Sequence, residues 1–135
     1  MTNFRLKIIT PEKMFFDGTA VQLIARTAEG DIGILAGHTS YVANINPSSL
    51  KVKVAEGEDF KVAAVAGGFL KVLPDETVVV ADAVEWAEDI DVVRAEAAKA
   101  RAEEIIKKHE SDKEFERAEQ KLRRAVNRLT VSGKN

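Results

Sequence analysis

Apolar and polar residues alternate along the first part of the chain, and the alternation stops near Trp86. Phe4, Leu6 and Ile8 interleave with Arg5 and Lys7, the period of a strand with one buried face. Val21, Leu23 and Ala25 repeat the pattern, as do Val52 and Val54 against Lys51 and Lys53. Residues 41–45 read as strand, and residues 62–65, 69–73 and 77–81 are rich in side chains that suit a pleated surface. Turn-forming pairs and clusters separate these runs: Asp17-Gly18, Glu29-Gly30, Glu56-Gly57-Glu58-Asp59, Gly67-Gly68 and Pro74-Asp75-Glu76. Many short strands with closely spaced turns predict an antiparallel β-sandwich or barrel over residues 1–86.

From about Glu88 glycine and proline vanish until Gly133, and the period lengthens. Ala95, Ala97, Ala98, Ala100 and Ala102 favour helix strongly, because alanine loses no side-chain entropy there. Asp89 or Asp91 can cap this helix by accepting a backbone N–H. A break follows at Lys107-Lys108-His109-Glu110, and Ser111 with Glu114 forms a capping box that opens a second helix. In that helix Phe115, Ala118, Leu122, Ala125 and Leu129 trace a narrow apolar seam. Ile90, Val93, Ala97 and Ala100 offer the first helix a matching one. The short connection predicts an antiparallel hairpin over residues 87–135, with residues 132–135 as a frayed end. The fold class is therefore α+β, an N-terminal antiparallel β-sandwich followed by a C-terminal two-helix hairpin. Seams built largely of alanine bury little apolar area, so the hairpin is expected to be a weakly held, mobile appendage.

Composition narrows the function classes. The 135 residues carry a formal net charge of -2, which gives no overall pull toward nucleic acid or acidic lipid. Cysteine is absent, which excludes disulfides and thiolate chemistry. The chain moves from Met1 directly into strand alternation, so no leader segment is expected. No apolar run approaches the roughly 20 residues of a membrane span, so membrane association is expected only through a partner.

The candidate chemical groups do not assemble a catalyst. Gly30, Gly33 and Gly37 lack the helix start that a phosphate-cradling loop requires, and read as turn and packing glycines. His38 and His109 lie in different parts of the chain, too few for a zinc site. Ser40 lacks a nucleophile-elbow sequence, and nothing builds a cleft around Asp82 and Glu85. The expectation is a non-enzymatic protein that needs no cofactor. Arginines are the more informative groups. Arg94 and Arg101 are seven residues apart and Arg124 and Arg128 four apart, so each pair shares a helix face beside the apolar seam. The plain reading is a solvated face with weak ion pairs to Glu96, Glu103 or Glu119. Lys121, Arg123, Arg124, Arg128 and Lys134 follow Glu119 without an intervening acid, but interleaved aromatics are missing and nucleic acid is not the expected partner.

Three motifs in register carry a family resemblance. Gly30-Asp31-Ile32-Gly33-Ile34-Leu35-Ala36-Gly37-His38 resembles the signature loop of the epsilon family of F-type ATP synthases, which usually reads Gly-Ile-Leu-Pro-Gly-His; here Ala36 replaces the proline. Ala66-Gly67-Gly68-Phe69-Leu70-Lys71-Val72 is similar to the family's paired-glycine segment. Val80-Ala81-Asp82-Ala83-Val84-Glu85 followed by Ile90-Asp91-Val92-Val93-Arg94-Ala95 is similar to its domain junction.

The resemblance implies a non-catalytic central-stalk subunit, bound through its sandwich to the gamma subunit and the c-ring on the cytoplasmic side of a bacterial cell membrane. It implies a hairpin that lies folded or extends along gamma toward the alpha and beta subunits, where it obstructs ATP hydrolysis. Some bacterial members bind ATP on the folded hairpin through Ile-Asp-x-x-Arg-Ala, a preceding glutamate and arginines of the second helix. By that resemblance Glu85, Ile90, Asp91, Arg94, Ala95, Arg101, Arg124 and Arg128 are candidate ATP-binding residues, with ATP a regulatory ligand. Asp91 also stands where a plain helix cap is needed. Gly37 and His38 are candidate contacts at the subunit interface, and Lys121 and Arg123 candidate contacts to acidic segments of beta. The competing readings are a free-standing β-sandwich binding module with a helical oligomerisation tail, and a jelly-roll enzyme, for which the histidines are too few.

Overall fold

The computed structural model describes residues 2–133. The chain divides between Trp86 and Ala87 into two compact units. The first contains ten strands: β1 (Phe4–Ile9), β2 (Met14–Ala20), β3 (Gln22–Thr27), β4 (Gly30–Ile34), β5 (Tyr41–Ile45), β6 (Ser48–Lys53), β7 (Lys61–Val65), β8 (Gly68–Val72), β9 (Glu76–Ala81) and β10 (Val84–Trp86). They hydrogen-bond in the order β10-β7-β6-β3-β5-β8-β9-β1-β2, with β4 also on β3. The β3–β5 join is a single residue pair, Thr27 with Ile45, so the sheet turns a corner there and its halves face each other. Leu23, Ala25, Leu50, Val52 and Val65 from one half meet Leu6, Ile8, Leu70, Val72 and Val79 from the other in one core. These are every second residue of their strands, as a half-buried period of two requires.

Three details differ from the sequence expectation. The sheet is not antiparallel throughout: β1 runs parallel to β9, from Arg5 beside Glu76 to Ile9 beside Val80. Alternation specifies a face and carries no information about direction, so this pair was invisible in the pattern. Asp17-Gly18 is not a turn but lies within β2, opposite Lys7 and Leu6, with Asp17 ion-paired to Arg5. The chain reverses earlier, where the Thr10 N–H donates to the Lys13 carbonyl at 2.9 Å and Thr10 Oγ1 accepts from the Lys13 N–H at 3.1 Å. Residues 30–34 form a strand rather than loop, because β4 pairs with β3 from Leu23–Ile34 to Thr27–Gly30. The β3–β4 hairpin is closed by buried Thr27, whose Oγ1 donates to the Gly30 carbonyl at 2.9 Å.

Trp86 lies tilted at 37° to the Phe15 ring, 4.7 Å away, and edge-on to Phe16 at 6.4 Å, with Lys61 Nζ 4.4 Å above its ring. These contacts fasten β10 to the rest of the sandwich.

The second unit opens with a 3₁₀ turn at Ala87–Asp89, followed by α1 (Val92–Lys108) and α2 (Asp112–Ser132). Of the two candidate caps, Asp91 is the one used: its Oδ1 accepts from the Arg94 N–H at 3.0 Å. α1 ends on His109 in the left-handed region at φ 41°, a conformation that glycine normally supplies. The His109 ring stacks on Phe115 at 4.3 Å, and its Nε2 lies 3.1 Å from Asp112 Oδ1. Ser111 Oγ accepts from the Glu114 N–H at 3.1 Å and opens α2. Ser132 is still helical, and Gly133 at φ 79° closes α2, so these two positions form an ordered helix end. Lys134 and Asn135 lie outside the described residues.

The α2 seam is as expected, with Ala118, Ala125 and Leu129 buried and Phe115 and Leu122 half-buried. The α1 seam is not. Val93 is 77% exposed and Ala97 and Ala100 face solvent, whereas Ala95 and Ala102 are buried. Alanine occupies both faces of α1, so its periodicity could not fix the phase of the contact. Ile90 is buried just ahead of the helix.

Gly68 gives a sharp test of the sandwich. Its φ is 150°, and a Cβ there would fall 2.0 Å from the Val80 carbonyl oxygen of the paired strand. Gly68→Ala is expected to destabilise the protein by at least about 3 kcal/mol. Gly67→Ala, strained at φ 126° but without such a clash, is expected to cost about 1–2 kcal/mol. Urea unfolding of the two variants measures the difference.

Candidate functional site

The hairpin carries a groove of about 390 Å³ along the line where α1 and α2 meet. Its floor is apolar, made by Ala98, Ala102, Ala125 and Ile105. Its walls are cationic, made by Arg101 from α1 and Lys121, Arg124 and Arg128 from α2. The small alanine side chains leave the space, and helix geometry delivers the charges. Positions 121, 124 and 128 are three and four apart, so they project from one face of α2. The volume lies in the range of small-ligand sites, about 300–1,000 Å³. A flat apolar floor between cationic walls suits a ligand with an aromatic or apolar part and several negative charges.

The structure brings together three of the sequence candidates, Arg101, Arg124 and Arg128. It adds Lys121, which sequence reasoning had grouped with partner contacts although its spacing from Arg124 and Arg128 was visible. Arg94 is exposed on the same side of α1 as Arg101, seven residues earlier, about 10 Å along the axis. It is not part of the groove wall. Asp91 is engaged as the α1 cap through Oδ1. Ala95 is fully buried and Ile90 nearly so, and neither is among the residues that line the groove. Glu85 belongs to β10 in the first unit, half-buried and paired across the sheet with Ala64. Arg123 is exposed on α2, away from the groove.

The other candidate residues sit in the turn after β4. The His38 N–H donates to the Leu35 carbonyl at 3.2 Å, and Gly37 has φ 80°. A positive φ at the third position is the mark of a type II turn, which a glycine adopts without steric cost. His38 is half-buried, its Nδ1 2.7 Å from the Thr39 carbonyl and its ring edge-on to Tyr41 at 6.2 Å. On the neighbouring hairpin Arg26 and Asp31 pair at 2.9 Å, and this hydrogen bond holds the Asp31 carboxyl below its ordinary range.

Residues 3–87 match the family model for the beta-sandwich domain of the ATP synthase delta/epsilon chain, and residues 88–133 match the model for its long alpha-helix domain. The chain belongs to the ATP synthase epsilon family. The ATP synthase epsilon chain of Ruminococcus albus is 50% identical over 135 residues, spanning 99% of both chains. That of Caldicellulosiruptor saccharolyticus is 42% identical over 131 residues, spanning 97% of this chain and 94% of the relative. A chain of the Euglena gracilis mitochondrial ATP synthase shares the fold at a TM-score of 0.81, with 21% identity, covering 96% of this chain and 81% of that one. The two family models meet between residues 87 and 88, one residue beyond the division of the structure.

Ala36 occupies the second position of the type II turn, where proline is favoured. Ala36→Pro is expected to stabilise the protein by about 0.4–1 kcal/mol, by restricting the unfolded chain. A higher midpoint in thermal unfolding is the readout.

Proposed function

We propose that this chain is a non-catalytic coupling and regulatory subunit in the central stalk of a bacterial F-type ATP synthase, whose helical hairpin senses ATP. The observation that carries the regulatory part is the cationic groove spanning both helices of the hairpin. Three of its four cations, Arg101, Arg124 and Arg128, are residues that the family resemblance assigns to ATP. In this reading the sandwich joins the gamma subunit and the c-ring, with the turn at Gly37 and His38 among its contacts. The complex holds the subunit on the cytoplasmic face of the membrane. The hairpin inhibits ATP hydrolysis when it opens and extends toward the alpha and beta subunits, with exposed Arg123 available to an acidic segment of beta.

The mechanism is a shift of population. A ligand lying between α1 and α2 binds only where the two helices are together, so it stabilises the closed hairpin by RT ln(1 + [ATP]/Kd). At ten times Kd this is about 1.4 kcal/mol, a tenfold change in the ratio of closed to open forms. Falling ATP then releases the hairpin to inhibit. Asp91 serves this indirectly, as the cap that fixes where α1 begins.

Isothermal calorimetry of the full chain with ATP tests the sensor. Saturable binding is expected, weakened at least tenfold by Arg101→Ala or Arg124→Ala, since each removes a charge-assisted hydrogen-bonding group. Absence of binding by the unmodified chain would refute ATP sensing while leaving the family assignment in place. Inhibition is tested in the assembled synthase with a chain ending at Ala87, which keeps the Trp86 contacts intact. ATP hydrolysis is expected to rise on this truncation; unchanged hydrolysis would rule out the hairpin as the inhibitory element.

A further inference from the structure

His109 is the one non-glycine residue with a positive φ among those described. Its left-handed conformation, φ 41° and ψ 53°, ends α1, and its N–H donates to the Ile105 carbonyl at 3.1 Å. Glycine does this without steric cost, whereas a residue with a Cβ is disfavoured there. What histidine has and glycine lacks is the ring. That ring lies nearly flat on Phe115, 4.3 Å between centroids and 16° between planes, and its Nε2–H donates to Asp112 Oδ1 at 3.1 Å. Both partners belong to the first turn of α2. One residue therefore acts on both helices. Its backbone finishes α1, and its side chain grips the start of α2, as an apolar residue just ahead of an N-cap grips the fourth helical position. Only Glu110 and Ser111 lie between it and α2, so this contact fixes the direction in which α2 leaves α1. The Asp112 side chain is 98% exposed, so water weakens its hydrogen bond and the stacked pair carries most of the hold.

We infer that His109 is the latch of the hairpin turn: its ring on Phe115 holds α2 folded back on α1 and so sets how often the hairpin opens. The inference rests on the reading above that the hairpin opens, and it adds a control that acts without nucleotide. When α2 turns away from α1, the ring leaves Phe115 and the backbone at residue 109 relaxes out of the left-handed region. The stack favours closure and the backbone cost opposes it. The turn thus contributes only the difference between the two, and a change in either one moves the balance. A glycine at this position would end α1 equally well and leave the direction of α2 unguarded.

The test exploits the absence of cysteine from the chain. Ala118→Cys puts a single thiol at a buried position of α2, 1% exposed. The rate at which a thiol reagent modifies it in the full chain, without nucleotide, measures opening even where the open form is rare. Ala63→Cys, fully buried in β7 of the sandwich, reports global unfolding on the same scale. In the Ala118→Cys chain, His109→Ala keeps the N–H to Ile105 and the left-handed cost and removes only the ring. It is expected to raise the labelling rate about three- to tenfold, with the rate at position 63 unchanged. Phe115→Leu is expected to act by a similar factor, and the two substitutions together no further than the larger single effect, because each breaks the same contact. An unchanged rate with His109→Ala, or two effects that multiply, would overturn the latch while leaving the opening of the hairpin in place. Labelling at position 118 as slow as at position 63 would overturn the opening itself and the latch with it.

Discussion

Ala95 and Ala102 on α1 and Ala118, Ala125 and Leu129 on α2 are the buried residues of the two helices among those described, and all but Leu129 are alanine. A methyl group removes little area from water, so contact through alanine brings backbones close at small gain in free energy. The caps at Asp91, Ser111 and Gly133 define each helix without adding much to the contact between them. The same small side chains leave the space beside Ala98, Ala102 and Ala125 that becomes the groove. A small contact area and a ligand-sized opening are thus two results of one choice of residue.

The sandwich has the opposite character. Its core is filled by leucine, isoleucine and valine from both sheet halves. Its polar groups inside are satisfied locally, as with Thr27 on the Gly30 carbonyl and Ser48 on the Asn46 carbonyl at 2.7 Å. Close approach of Gly68 to β9 and the ring contacts of Trp86 fix the strands nearest the boundary. The two units that meet at residue 87 therefore differ in how much apolar area each buried side chain removes from water.

Much of this was legible in the chain. Alternation at Phe4, Leu6 and Ile8 placed β1 and its buried face, and the loss of glycine after Glu88 placed the hairpin. The α2 seam was readable because leucine and phenylalanine mark it among charges. The α1 seam was misphased because alanine marks both faces, and only packing decides which one is buried. Direction in the sheet was likewise silent, since Ile8 alternates identically whether its neighbour runs parallel or antiparallel. At the site, Arg101, Arg124 and Arg128 were found by resemblance, and the structure brought them together. Lys121 was separated from them by its nearness to Arg123 in sequence, although two residues on a helix point in nearly opposite directions. The groove floor at Ala98 and Ala125 had no signal of its own, because an alanine looks the same whether it packs or lines a space.

The parallel pairing of β1 with β9 sets how the two units come into being. Arg5 finds its partner at Glu76, so the first strand waits for nearly the whole unit before its second edge is covered. Contacts this distant in sequence carry a large loop-closure cost and make for slow folding. The hairpin needs only the connection from His109 to Ser111, and such local contacts form on much shorter timescales. One part of the molecule is therefore assembled through contacts distant in sequence and the other through near ones, so the two units differ in the pace at which each can form.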